Sequence, residues 1–289
     1  MKISEMFGKS RAVLSFEVFP PKKTSAVETV TSAVDELVKL KPDYISVTYG
    51  AGGNTANTFT RDIAAHIKND CCIEAMAHIT CVNNSREDVI TVMDSFAEAG
   101  IENILALRGD INPDKPPKTD FKYASELISF VREHKKYDNI GISGACYPEG
   151  HAEAESLTED IINLRHKVDA GAEELITQLF FDNAFFYDLR EKAKIAGINV
   201  PISAGIMPVT SKSQIERMVT MCGASLPQKF VRMVNKYEYK PEALIDAGIA
   251  YAADQITDLL ANGTEGIHLY TMNNPYVAGR IVDIIGKLL

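Results

Sequence analysis

The chain has 289 residues, 46% of them hydrophobic and 24% charged, a composition that excludes intrinsic disorder and allows one large core or two smaller ones. With 30 Lys and Arg against 39 Asp and Glu, the net charge of −9 repels a phosphate backbone at long range, so no nucleic-acid partner is expected. Any anionic ligand has to be held by a local cluster of cations or backbone N–H groups.

The opening Met1-Lys2-Ile3-Ser4-Glu5-Met6 carries no apolar run of signal-peptide length, and nothing reaches the length of a membrane-spanning helix. Cys71, Cys72, Cys81, Cys146 and Cys222 form no C-x-x-C pair, and their odd number argues against a complete disulfide framework. A cytoplasmic protein without a membrane partner is expected.

The first predicted strand is Leu14–Phe19. Phe16 and Val18 share one parity there, so Glu17 points the other way. A carboxyl in a partly apolar environment suits a general acid near neutral pH, or else pairs with a buried cation as a structural element. An amphipathic helix follows over Ala26–Leu40. Strand two, Tyr44–Tyr49, runs into Gly50-Ala51-Gly52-Gly53-Asn54, which fits either a cradle for a phosphate or flat ring, or a plain loop.

Strand three, Glu74–Cys81, carries His78, and helix Glu87–Ala99 leads to strand four, Asn103–Arg108. The following Gly109-Asp110 fits a turn, or a close backbone approach to a ligand with Asp110 at the strand's carboxyl end. Pro113-Asp114-Lys115-Pro116-Pro117 reads as a loop. Strand five, Gly141–Tyr147, ends in Tyr147-Pro148-Glu149-Gly150-His151, a pairing suited to ring stacking and phosphate contact or to ordinary structure.

Helix Thr158–Ala170 places Asp160, Asn163 and Lys167 on one face, which by itself reads as solvated. Strand six, Glu174–Phe180, holds Gln178 among apolar neighbours, where an amide must find partners in the core or on a heterocycle edge. Strand seven is Val200–Ile206. More than one helical stretch then runs through Asn262 before strand eight, Gly266–Met272.

Strands alternating with helices imply a parallel sheet with right-handed crossovers, and eight such units at this length fit a closed (β/α)₈ TIM barrel with extra helical structure before the last strand. The alternative, an open doubly wound sheet, lacks its usual G-x-G-x-x-G after the first strand. One domain spanning residues 1–289 is expected. No H-E-x-x-H, Cys/His metal spacing, Ser-His-Asp set or G-x-S-x-G elbow occurs, so neither a metal nor a serine nucleophile is expected.

Taken in order, Ser15-Phe16-Glu17-Val18-Phe19-Pro20-Pro21-Lys22, Val47-Thr48-Tyr49-Gly50-Ala51-Gly52-Gly53, Ala77-His78-Ile79-Thr80-Cys81, Leu107-Arg108-Gly109-Asp110, Tyr147-Pro148-Glu149-Gly150-His151, Lys167-Val168-Asp169-Ala170-Gly171-Ala172, Ile176-Thr177-Gln178-Leu179-Phe180-Phe181-Asp182 and His268-Leu269-Tyr270-Thr271-Met272-Asn273 resemble the methylenetetrahydrofolate reductase family in its short bacterial form. The resemblance implies non-covalent FAD, with NADH or NADPH and methylenetetrahydrofolate alternating on one flavin face. Glu17 matches the acid that protonates folate N10 as the ring opens to an iminium, which then takes hydride from the flavin to give 5-methyltetrahydrofolate. Asp110 matches the acid between flavin and pterin, favouring the cation and tuning the cofactor.

For FAD the resemblance implies Thr48, Tyr49, Ala51, His78, Arg108, Gly109, Asp110, Tyr123, Ala124, Tyr147, His151 and Ala154, with Asp160, Asn163, His166 and Lys167 from the fifth helix. That assignment reverses the solvated reading of the helix. For the substrate it implies Gln178 and Gln214. His166 stands where relatives carry Arg, which would make one diphosphate contact depend on pH. Met218 replaces an aromatic position and Asn274 an Arg position, on the substrate and donor side. A homo-oligomer is expected, with an electron-transfer protein as an alternative donor. No C-terminal regulatory domain is expected, and hence no inhibition by S-adenosylmethionine through one. A flavin-free folate-binding methyltransferase or a non-catalytic subunit is the alternative function.

Overall fold

The computed structural model describes residues 1–21, 27–49, 54–111 and 118–289. Among them, strands β1 (Val13–Val18), β2 (Tyr44–Val47), β3 (Glu74–Thr80), β4 (Asn103–Leu107), β5 (Gly141–Cys146), β6 (Glu174–Thr177), β7 (Ile202–Ile206) and β8 (Gly266–Tyr270) pair in chain order, and β8 returns to β1 to close a parallel barrel. The helices are α1 (Val27–Val38), α2 (Asn54–Ala65), α3 (Arg86–Glu98), α4 (Ala124–Glu133), α5 (Leu157–Asp169), α6 (Asn183–Ile195), α7 (Lys212–Cys222), α8 (Gln228–Tyr237), α9 (Pro241–Ala261) and α10 (Pro275–Ile285). The expected architecture is the one observed, and the open sheet is excluded by closure. The extra helical structure is α7 and α8, which precede the long α9. No helix among the described residues is long and apolar enough to cross a membrane.

Alternation sorts each strand between two environments. On β1, Leu14, Phe16 and Val18 join Val34, Leu37 and other helix residues in the layer outside the sheet. Val13 points inward, packing with Tyr44, Met76, Leu105 and Ile176 and with Ile3 and Met6 of a 3₁₀ turn at Ile3–Met6 that closes the barrel floor. Asn103 fastens that turn by accepting from the Ile3 N–H at 2.9 Å and donating to the Met1 carbonyl at 3.0 Å.

Several strands are shorter at their carboxyl ends than the sequence predicts, because hydrophobicity continues past the ladder. Leu179 and Phe180 look like strand but are loop residues, and with Phe181 they fill the space under the helices: Phe180 stacks on Phe186 at 5.6 Å and Phe181 packs on Phe230 at 4.4 Å. Thr48, Tyr49, Arg108, Tyr147 and Gln178 therefore follow their strands and stand at the barrel mouth. A second apolar cluster, including Val209, Ile215, Phe230 and Leu244, seats α7, α8 and α9 beside β6 and β7. Gly248 makes that seat close: a Cβ there would fall 1.9 Å from the Val209 carbonyl oxygen.

Candidate active site

Glu17 lies on the inward parity of β1, one residue from the strand's end, in register with Ser46 and Tyr270 of the flanking strands. Its backbone is clamped from the β8–α10 connection: its carbonyl accepts from the Thr271 hydroxyl at 2.7 Å and the Thr271 N–H at 3.3 Å. Two residues on, Phe19 exchanges two hydrogen bonds with the Asn273 side chain, at 3.0 and 2.8 Å. The carboxyl is thus held in the mouth by fixed backbone, and its oxygen Oε2 stands 3.6 Å from Nε2 of both His78 and His268.

The two imidazoles differ. His78 is buried, and burial drives its pKa down to about 4 against the attraction of Glu17, leaving the ring neutral. Its Nε2 has no hydrogen-bond partner among the described residues. His268 is fully buried, with Nδ1 at 2.7 Å from the Ser15 hydroxyl and Nε2 at 3.5 Å from the Ser46 hydroxyl. Below them Glu174 accepts from the hydroxyls of Ser143, Tyr44 and Ser203 at 2.8, 3.0 and 3.0 Å. The inward layer above the floor is thus polar, where an ordinary barrel core is branched and apolar.

Beside the mouth, on the β4 and β5 side, a cleft of about 780 Å³ opens between α4 and α5. That is the size of a site for a large organic ligand. Arg108, Tyr123, Ala124, Tyr147, His151, Ala154, Asp160, Asn163, His166 and Lys167 all line it, so the structure gathers these sequence candidates in one place. Leu107, in register with Thr80 two residues beyond His78, also lines it and links it to the mouth.

The cleft wall carries buried charge. Lys167 donates from Nζ to the Ala145 carbonyl at 2.8 Å, with Nζ 5.7 Å from the centre of the Tyr147 ring. Burial pulls the Lys167 pKa down and pushes that of Asp160 up, outweighing the attraction between them. Burial likewise raises Tyr147 to about 12 and lowers His151, whose ring meets Tyr147 edge-on at 4.7 Å. Arg108 is forked onto the Glu153 carboxylate, with Nη2 at 2.8 Å from Oε1, so an anionic ligand would exchange with a side chain already in place.

The remaining candidates stand around the rim. Gly109 has φ +83°, and a Cβ there would sit 2.8 Å from Thr80 Cβ, so both conformation and space call for glycine. Asp110 next to it is exposed, its carbonyl accepting from Asn83 at 3.1 Å. The Thr48 N–H donates to the Val18 carbonyl at 3.0 Å, and the Tyr49 hydroxyl accepts from Asn84 at 3.1 Å. Gln178 turns its Oε1 back to the Leu179 N–H at 2.9 Å, while Gln214 accepts from Thr210 and caps the start of its own helix. Ala51 lies outside the described residues.

The model of the family described as methylenetetrahydrofolate reductase matches residues 2–286. The chain belongs to this family. A 5,10-methylenetetrahydrofolate reductase of Pectobacterium carotovorum subsp. carotovorum is 37% identical over 96% of this chain and 91% of its own, and that of Escherichia coli K12 35% identical over 94% and 90%. An NADH-named reductase of Arabidopsis thaliana is 35% identical, and the match covers 94% of this chain but 48% of that one. Among solved structures, a Clostridium thermocellum protein described as binding 5-methyl-5,6,7,8-tetrahydrofolic acid superposes with a TM-score of 0.68 at 12% identity, covering 96% of each chain, a likeness of fold.

The methylenetetrahydrofolate reductases are oxidoreductases, and this chain is one of them. Two of its departures have a structural account. Asn274 caps α10, accepting from the Val277 N–H at 3.3 Å, so its side chain serves the helix. Met218 packs against the apolar cluster under α7. Sequence reasoning missed His268, Ser15, Ser46 and Glu174. Their signal was parity: each is a polar residue on the inward register of its strand.

Proposed function

We propose that the chain reduces 5,10-methylenetetrahydrofolate to 5-methyltetrahydrofolate, with NADH or NADPH as donor, through non-covalently bound FAD, the donor and the folate taking turns at one site. The barrel acts as one catalytic unit. FAD, when bound, supplies a carrier that takes hydride from the nucleotide and passes it to the folate carbon. Names of relatives at 35–37% identity support the reaction, and the NADH-named plant enzyme supports the donor class.

Several features fit the cofactor. The cleft has the volume for a dinucleotide arm, and its wall offers Lys167, Arg108 and His151 to a diphosphate and Tyr147 to a ring. The buried His78 Nε2 offers a polar atom at the mouth with no hydrogen-bond partner among the described residues.

The observation that carries the reading is Glu17, a carboxyl aimed into the mouth on a clamped strand end. In the protonated form it donates to folate N10 as that nitrogen leaves the bridging carbon. Neutral His78 beside it adds no positive charge that would hold the carboxylate ionised, and His268 is near enough to exchange hydrogen bonds with it through small movements. Asp110 at the rim places negative charge where a cationic folate would form. Gln178 and Gln214 orient the pterin by exchanging their present backbone partners for its edge.

The test is stopped-flow spectroscopy on the purified protein. Yellow protein that bleaches with NADH or NADPH and regains colour with methylenetetrahydrofolate is the expected result. Protein that stays colourless after incubation with FAD, or whose colour ignores the folate, overturns the proposal.

A further inference from the structure

At the end of the barrel opposite the mouth, outside the sheet, three unlike side chains converge. His66 opens a π-helical turn, His66–Asp70, that continues α2, and Cys71 follows it, its N–H returning to the His66 carbonyl at 3.0 Å. The turn brings Cys71 Sγ to 3.6 Å from His66 Nε2, and Asp35 on α1 places Oδ1 at 2.8 Å from that nitrogen and 3.7 Å from the sulfur. His66 Nδ1 is 2.8 Å from Asp70 Oδ2, which fixes the ring so that Nε2 is the atom turned to the other two.

We propose that Asp35, His66 and Cys71 form a binding site for a borderline divalent cation of the zinc type, with Asp70 orienting the histidine. Bond lengths of about 2.0–2.3 Å in a tetrahedral zinc site set donor separations of about 3.6 Å for S to N, 3.6 Å for S to O and 3.4 Å for N to O. Two of the three separations already match, and the third needs only the hydrogen bond between His66 and Asp35 to open. A carboxylate on the far ring nitrogen is the usual support of a metal-bound histidine. Mixed sulfur, nitrogen and oxygen donors select zinc-like ions over magnesium or calcium, and a water completes the fourth position. On binding, the Cys71 thiol and the His66 Nε2–H each give a proton to solvent, and the cation takes their place on sulfur and nitrogen, with no change of oxidation state. The bound ion clips α1 to the connection between α2 and β3. This site is independent of the reductase chemistry at the mouth.

The full-length protein, freed of metal with a chelator, is titrated with Co²⁺ as a spectroscopic probe and then with Zn²⁺. Difference spectra should show a thiolate-to-cobalt band saturating at about one equivalent and abolished by zinc, and zinc should raise Tm by roughly 5 °C. Cys71→Ser should lose the band, Cys72→Ser should keep it, and Asp70→Asn should weaken affinity about tenfold or more. Absence of the band in the unmodified chain, or its survival in Cys71→Ser, overturns the proposal. Should the cysteine variant fold poorly, Asp35→Asn, which keeps shape and volume, decides the matter: full-strength cobalt binding in it overturns the site.

Discussion

Glu17 and His78 meet across strand β2 at 3.6 Å, a carboxyl oxygen facing a nitrogen of a buried imidazole that is uncharged at neutral pH. The pair is therefore a carboxyl beside a neutral ring, and no fixed ion pair ties up the acid. Burial has set this arrangement, since desolvation outweighs the pull of the Glu17 charge.

That burial has a cost that depends on pH. His78 titrates near 4 in the folded chain and near 6.5 when unfolded. Above the unfolded value both states are neutral and no penalty applies. As pH falls from about 6.5 to 4, only the unfolded chain takes the proton, and stability drops by on the order of 3 kcal/mol. His78→Gln removes the titration, so urea unfolding from pH 7.5 down to 4.5 should show a shallower decline in the variant. Parallel curves for the two proteins would remove His78 as the source.

Glu17→Gln keeps shape and polarity but has no proton to give. Reduction of the flavin by NADH or NADPH should proceed within about threefold of the unmodified rate, while folate reduction falls by roughly 10²–10⁴-fold. Separate half-reactions in a stopped-flow instrument check this. Equal loss in both halves, in a folded variant that keeps its flavin, would contradict the assignment of Glu17 as the acid.

Much of this was legible in the sequence. Alternation on Leu14–Phe19 placed Glu17 inward, and the structure puts it there, because a strand of apolar outer residues has one way to face its helices. The face shared by Asp160, Asn163 and Lys167 was legible as spacing, yet spacing alone read as solvent-exposed; only α5 lying beside the β5 loop turns it into a cleft wall. The ends of β2, β6 and β8 were not legible, since buried loop residues such as Phe180 and Phe181 are as apolar as strand. His268 could not be tied to Glu17 from sequence, because their contact depends on β8 closing onto β1 across some 250 positions, with His268 in register with Ser15.

Lys167 is the cleft cation with the most to lose. Its ammonium is already desolvated, so a phosphate oxygen meeting it gains attraction without a further dehydration cost on the protein side. Lys167→Met keeps the stem that packs in the wall and removes the charge. Flavin affinity, followed by quenching of FAD fluorescence on titration, should fall by about 10²-fold, equivalent to ~3 kcal/mol. His166→Ala, at an exposed position on the same helix, should cost about threefold or less. The reverse order would place the anion elsewhere on the helix.

Glu174 tests whether the polar barrel interior holds the fold. Three hydroxyls, from Ser143, Tyr44 and Ser203, donate to this one buried carboxyl. Glu174→Leu leaves all three without that acceptor and should cost about 3–5 kcal/mol in urea unfolding. Glu174→Gln retains one acceptor oxygen and should cost about 1–3 kcal/mol. The pH dependence has a definite sign. Burial raises the Glu174 pKa above its ordinary 4.5, so the folded chain holds the proton more firmly than the unfolded one. Its stabilising contribution is complete below 4.5 and is lost as pH climbs through the folded value. Gln cannot titrate, so its deficit relative to the unmodified chain should be largest in acid and shrink toward pH 8. A deficit that grows with pH would mean that the ionised carboxylate is the form the three hydroxyls stabilise, and that their hydrogen bonds outweigh desolvation.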